Sequence, residues 1–263
     1  MHDEARWLET ALTIAEAVRE RVRPAWMQRH TVRHKGPRDI VTEMDLVAEQ
    51  IVLEALHRAF PTHAIISEEA GGEAGEARVR WYVDPIDGTT NFSRHNPNFC
   101  LSLAAVVDGE PVVGVVCDIL RGHAFAARRG AGATLNGKPI HVAPTRDPKA
   151  MVFGIDWPRE PAIRRRMWQR AGLLLEVGQT MRTLGSAALM MSYVAPGWID
   201  LYLCGKLHPW DQAAAALIVR EAGGVVGTLS GAPWEPTAPD PLIAATPELM
   251  EAVRDILAEE AGR

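Results

Sequence analysis

The string DPIDGTTN at Asp84–Asn91 directly follows the apolar run Trp81–Val83. A strand that ends in two carboxylates three residues apart, bracketing a proline, predicts a tight turn with both acids on one side. Pro85 fixes its own φ and donates no hydrogen bond, which stiffens that turn. Gly88 permits a conformation or a close approach that a side chain would block. Thr89, Thr90 and Asn91 then offer hydroxyls and backbone N–H groups, as the first turn of a helix does, and such a turn cradles phosphate. An isolated Asp-Gly pair is an ordinary turn; eight residues of this kind together point to a site.

Upstream, His63–Ser67 (HAIIS) reads as a short strand lying beside Trp81–Asp84, with Glu68-Glu69 at its end. Adjacent acids are commonly a solvated edge, but here Glu69 is placed to converge with Asp84 and Asp87. Three convergent carboxylates repel unless cations sit among them, and hard oxygen ligands of this type suit magnesium. Between the two strands, Ala70–Ala77 (AGGEAGEA) reads as a mobile surface loop. A fourth acid, Asp211, opens a helix in HPWDQAAAALIVREAGG; taken alone it is a helix N-terminal acid favoured by the macrodipole. In DIVTEMD, Thr42 and Asp45 have capping-box spacing, so Asp45 is either a cap or a group that orients a threonine or a water.

The rest of the chain divides by texture. Glu4–Arg23 and Glu43–Ala59 carry apolar residues at helical spacing. From Cys100 to Val142, apolar runs are separated by turn signals at Asp108-Gly109, Arg121-Gly122 and Asn136-Gly137, which predicts an antiparallel meander. After Pro144, strands (Met151–Ile155, Ile199–Leu203, Leu242–Ala245) alternate with helices (Arg164–Leu175, Ser186–Val194, Asp211–Ala222, Pro247–Ala258). A boundary near Ala143 is expected, with an α+β half at 1–143 and an α/β half at 144–263.

The 263 residues, 47% of them hydrophobic, are enough for a packed interior. A formal charge of −5 argues against a general nucleic-acid binder. Cys100, Cys117 and Cys204 form no CxxC pair, and the nine histidines form no metal-binding pattern, so neither a disulfide framework nor a zinc site is implied. There is no GxSxG and no P-loop. No apolar run approaches membrane-spanning length and no signal peptide is evident, so a soluble, cytoplasmic protein is expected.

Taken together, the glutamate at 69, the DPIDGTTN string and the WDQAAAALIVREAGG string resemble the inositol monophosphatase family. The resemblance implies an α+β fold, the alternating α-β-α-β-α sandwich of the sugar-phosphatase type, usually as a homodimer. It implies metal ligands at Glu69, Asp84, the main-chain carbonyl of Ile86, Asp87 and Asp211, holding two or three Mg²⁺ ions. Gly88 and Thr89 match phosphate-holding positions, and Thr89 with Asp45 matches the pair that helps activate the attacking water, with Glu69 nearby. Gly185, Ser186 and Ala187 match the loop against the organic part of the substrate. Hydrolysis of a small phosphorylated metabolite, without a phospho-enzyme and with lithium sensitivity, follows from the same likeness. One position departs: seven residues before Asp211, where inositol-hydrolysing members carry a glutamate, stands Cys204, a weak hydrogen-bond acceptor. Histidinol phosphate, fructose 1,6-bisphosphate and nucleotide 3′-phosphates therefore stand beside inositol phosphate as substrates, and a non-catalytic binding protein is the alternative of another class.

Overall fold

The protein is described from a computed structural model covering residues 2–72, 75 and 77–258. Positions 73, 74 and 76 of the expected Ala70–Ala77 loop lie outside the described residues. Helices α1 (His2–Val22) and α2 (Glu43–Ala59) flank an antiparallel hairpin, β1 (Val32–Gly36) with β2 (Asp39–Thr42). The sequence does not announce this hairpin: VRHKG lacks apolar alternation, and β1 is exposed along almost its whole length.

A seven-stranded sheet follows. Its strands are β3 (Ala64–Ser67), β4 (Val79–Asp87) and, after helix α3 (Thr89–Ser93), β5 (Cys100–Val107), β6 (Glu110–Asp118), β7 (His123–Arg128), β8 (Ala133–Leu135) and β9 (Lys138–Ile140), neighbours in that order. Strand β3 runs parallel to β4, and every later pair is antiparallel, forming the expected meander. Asp108-Gly109 and Asn136-Gly137 both adopt positive φ, as two-residue hairpin turns require.

The remainder comprises β10 (Val152–Ile155), α4 (Pro161–Val177), β11 (Thr180–Arg182), α5 (Ala187–Ser192), β12 (Leu201–Leu203), α6 (Pro209–Glu221), β13 (Val225–Thr228), β14 (Pro241–Ala244) and α7 (Pro247–Ala258). Five of these strands form a second sheet in the order β11-β10-β12-β14-β13, with β10 parallel to both neighbours. Strands β11 and β13 go unseen in the sequence because three or four residues are too few to show a period.

Strand alternation builds the layers. Trp81 and Val83 of β4 and Leu101 and Leu103 of β5 point to α1 and α2, which cover one face of the large sheet. Tyr82 and Ala104 point the other way, into a core filled by Met190 of α5 and Ala214 and Ile218 of α6, and closed by Tyr202 and Ile243 of the second sheet. Helices α4 and α7 cover the outer face around Phe153, Leu174 and Leu249. The sequence of layers is α-β-α-β-α, and both faces of the large sheet are buried, which is why β5 and β6 read as continuous apolar runs. Helix α6 lies unusually close to β6: a Cβ on Gly114 would sit 2.6 Å from the Ala214 carbonyl oxygen. This contact of backbone on backbone sets the depth of Asp211 at the N-terminal end of α6.

Candidate active site

Asp84 and Asp87, an odd number of residues apart, would face opposite sides of a regular strand. The pairing of β4 with β5 shifts register between them. Pro85 cannot donate to a ladder, and the irregularity it accompanies turns both carboxylates toward one side. The expected tight turn is thus a bulged end of β4 that continues to Asp87. Asp84 accepts from the Ile86 N–H at 3.1 Å. Asp87 Oδ2 accepts from Ser186 Oγ and from the Ala188 N–H, each at 2.7 Å. Asp211 arrives from α6, where its Oδ2 accepts from the His208 N–H at 2.7 Å in a capping box.

One carboxylate oxygen from each of Asp84, Asp87 and Asp211 lies within 4.8 Å of the others. Burial, and then the charge of neighbouring acids, holds Asp84 and Asp211 well above the usual carboxylate range. Burial brings Asp87 up to about 6, opposed by its bonds from Ser186 and Ala188. Mutually repelling, buried, all-oxygen donors of this kind fit a hard divalent cation such as Mg²⁺.

The two adjacent glutamates diverge. Glu68 lines the same cleft as Asp87 and Asp211, and its charge bears on all three aspartates. The Glu69 carboxylate instead receives Lys35 Nζ at 2.6 Å, with its side chain 4% exposed, and it is absent from the cleft lining. Burial pushes Glu69 up to about 7 against the pull of Lys35. Lys35 also reaches Glu68, at 3.1 Å.

Asp45 is buried and does two things. Its Oδ2 accepts from the N–H and hydroxyl of Thr42, capping α2, while Oδ1 accepts from Thr89 Oγ1 at 2.8 Å. The Thr89 hydroxyl also lies 3.1 Å from the Ile86 carbonyl oxygen. Gly88, between these residues, has φ +97° and ψ +36°. A Cβ there would meet the carbonyl oxygens of Asn98 and Gly185 at 3.0 and 3.3 Å and Ser186 Cβ at 3.2 Å. Asn91 Nδ2 ties the two loops together, donating to the Asn98 and Leu184 carbonyls at 2.6 and 2.7 Å.

Asp87 and Asp211 open on a cleft of about 340 Å³ whose walls include Gly185, Ala187 and Cys204. Ser186 is buried beneath it. Burial pushes the Cys204 thiol up to about 12, so it is neutral. All three cysteines are free and buried. Lys206 and Glu160 form an ion pair on the cleft wall. The sequence reading missed Glu68 and also Asp156, a buried wall residue. A signal for Asp156 existed: FGIDWP resembles WYVDPI in being an apolar strand closed by an aspartate, with a proline two residues on rather than next to it.

Layering and an acid-lined cleft between the sheets define a sugar-phosphatase-type sandwich with a site suited to divalent metal. The profile of the Inositol monophosphatase family matches residues 3–260, and the chain belongs to that family. A Xylella fastidiosa protein named Nus factor SuhB is 40% identical over 202 residues, covering 76% of this chain and 73% of that one. Inositol monophosphatase 1 of Solanum lycopersicum is 35% identical over 258 residues, covering 95% and 94%. Among solved structures, an IMPase of Thermotoga maritima superposes with a TM-score of 0.89 at 30% identity, covering 98% of each chain. No helix among the described residues is long and apolar enough to cross a membrane.

Proposed function

We propose that this chain is a Mg²⁺-dependent phosphatase acting on a small phosphomonoester. The observation that carries the reading is the triad of Asp84, Asp87 and Asp211, gathered within 4.8 Å, with Asp87 and Asp211 on the wall of an open cleft and Asp84 buried behind them. With the Ile86 carbonyl and a glutamate of the 68–69 pair, these residues would hold two or three Mg²⁺ ions. Of the two glutamates, Glu68 is favoured as the ligand, because it faces the cleft while Glu69 is held by Lys35. Bound Mg²⁺ supplies Lewis acidity toward phosphoryl oxygens and acidifies water.

The chain's own residues do the rest. Gly88 lets the backbones of Asn98 and Gly185 close on the turn, where a Cβ would meet them at 3.0–3.3 Å, and this holds the N–H groups at the Thr89 turn in place for the phosphoryl group. The Thr89 hydroxyl, donating to Asp45 Oδ1, keeps its lone pairs for the proton of an incoming water and passes its own proton to Asp45. Burial raises the pKa of Asp45, which favours accepting that proton. Ser186 fixes Asp87, and Gly185, Ala187 and Cys204 bound the space for the organic group. The half at 1–143 thus contributes most ligands, and the half at 144–263 contributes Asp211 and the substrate loop.

Lithium sensitivity, a cytoplasmic location and a homodimer belong to the same reading. The tomato relative's name supports an inositol phosphate, while the neutral thiol at 204 supports a different ester, such as histidinol phosphate, fructose 1,6-bisphosphate or a nucleotide 3′-phosphate. The name Nus factor, borne by the Xylella relative, speaks for a second reading in which the scaffold binds a partner. Retention of every acid in the triad favours the enzymatic one.

The test is phosphate release from that panel of esters with and without Mg²⁺. Activity should be lost in EDTA, and Asp84→Asn or Asp211→Asn should each lower kcat by about 100-fold or more. Full activity in EDTA, or near-normal turnover in both variants, would refute the reading.

A further inference from the structure

Asp156 follows β10 and lies on the cleft wall beside Gly185 and Cys204, only 7% exposed. Its Oδ1 accepts from the Gly185 N–H at 3.2 Å and its Oδ2 from the Tyr202 hydroxyl at 3.1 Å. Both donors are neutral, and a carboxylate has about four acceptor positions, so acceptor capacity remains. Among the described residues no lysine or arginine is paired with it. The two cations of the cleft wall are engaged elsewhere: Arg159 Nη1 with Asp39 at 2.8 Å, and Lys206 with Glu160. Glu68, Asp87 and Asp211 belong with the metal. Asp156 is therefore the wall carboxylate left without a counter-charge.

A buried carboxylate in that condition is costly, and the cost falls when a cation arrives with hydrogen-bond donors. Burial, then the charge of Asp87, pushes Asp156 up to about 7. Trp157, also on the wall, adds an aromatic surface of the kind that attracts cations. The neighbouring Cys204 offers a neutral thiol, with Sγ 3.8 Å from the Asp156 carbonyl oxygen.

We propose that Asp156 determines specificity by pairing with an ammonium group on the organic part of the substrate, so that the substrate is the phosphate monoester of an amino alcohol. This rests on the phosphatase reading above and names the substrate class for the same cleft. The bond broken is the ordinary phosphoester bond, with water as acceptor; Asp156 acts on binding alone.

The experiment compares kcat/KM for the phosphate esters of 2-aminoethanol, 3-aminopropanol and 4-aminobutanol with those of the corresponding diols. It is run with Mg²⁺ in wild type, Asp156→Asn and Asp156→Glu. At least one amino ester should be preferred over its diol counterpart by about tenfold or more, a range accessible to one desolvated polar pair. Asp156→Asn, which keeps size and acceptor but loses charge, should abolish that preference through KM, and Asp156→Glu should retain a preference of the same sign. A role confined to holding Gly185 and Tyr202 would lower activity on both ester classes alike. Phosphate release with no amine preference in wild type, or an equal preference in Asp156→Asn, overturns the assignment and leaves the phosphatase reading standing. No phosphate release from any ester in wild type overturns both. The wild-type comparison needs no variant, so it decides the substrate class even where a substitution impairs folding.

Discussion

Replacing Gly88 with alanine tests whether the DPIDGTTN segment is built around a backbone that only glycine tolerates. At φ +97° a residue with a Cβ is strained, by about 1–2 kcal/mol. The added methyl would also meet two backbone carbonyl oxygens and Ser186 Cβ at 3.0–3.3 Å. Carbonyls yield less easily than side-chain tips, and such overpacking adds about 1–2 kcal/mol. The total is about 2–4 kcal/mol, which for a chain of this size lowers Tm by about 4–8 °C. The strain falls on the loop that carries Ser186, the donor that fixes Asp87 at 2.7 Å. Displacing Asp87 should therefore lower kcat/KM for phosphate release by about tenfold or more. Thermal melting and steady-state phosphate release measure the two effects. A Tm within about 1 °C of wild type, with kcat/KM unchanged, would show that the close approach at Gly88 is not needed and that the phosphate turn is wrongly placed.

The glutamates separate by substitution. Glu68→Gln should lower Mg²⁺-dependent phosphate release by about 100-fold, and Glu69→Gln by less than about tenfold; the reverse order would return the ligand role to Glu69. Stability without metal should depend on pH in an uncommon direction. Asp87 and Asp156 have folded pKa values of about 6 and about 7, above the unfolded aspartate value, so the native state binds more protons and stability falls as pH rises from about 4 through 7. Each such group contributes a slope of at most about 1.4 kcal/mol per pH unit. Mg²⁺ held by Asp84, Asp87 and Asp211 would neutralise that cluster, so the Tm difference between Mg²⁺-loaded and EDTA-treated protein should widen from pH 5 to pH 8. Subtracting the two series cancels the opposite effect of His63, which lies away from the acids and whose burial lowers its pKa. A constant difference would mean that the cation does not bind among these acids.

Much of this architecture was legible because apolar periodicity reports burial directly. The meander from Cys100 showed itself through turn pairs and unbroken apolar runs, and α6 through its alanines. The β1–β2 hairpin stayed hidden because exposed VRHKG buries nothing that would impose a pattern. The acids Asp84 and Asp87 were legible as a pair turned to one side, and Asp211 joined them through the family resemblance alone; how the three are brought together was not legible. It depends on a register shift at Pro85 and on how closely α6 approaches Gly114, and both are tertiary facts. Glu68 and Glu69 show the limit most clearly. Alternation says that adjacent residues point apart, yet which one faces the cleft is decided by how β3 sits against β4, with Ser67 opposite Val83.

The site residues nevertheless share one position in the fold. Glu68 follows the last residue of β3, Asp87 ends β4, Asp156 follows β10, and Cys204 follows β12. Strands β3 and β4 are parallel, as are β10 and β12, so each pair delivers its carboxyl ends to one side. Ligands bind beyond the carboxyl ends of such strands because the chain must leave the sheet there, which exposes backbone and frees side chains from the ladder. An acidic residue closing an apolar run is the sequence mark of that place. WYVD carries it in the half at 1–143 and FGID in the other, and under the proposal the two aspartates would serve opposite ends of one substrate. If Asp156 pairs with the organic group as Asp84 pairs with metal, the two halves of the chain divide the substrate between them. Chemistry then belongs to the large sheet and choice of ester to the small one. Substitutions at 156 and 204 should accordingly change the ranking of esters, whereas those at 84 and 87 should lower all of them together.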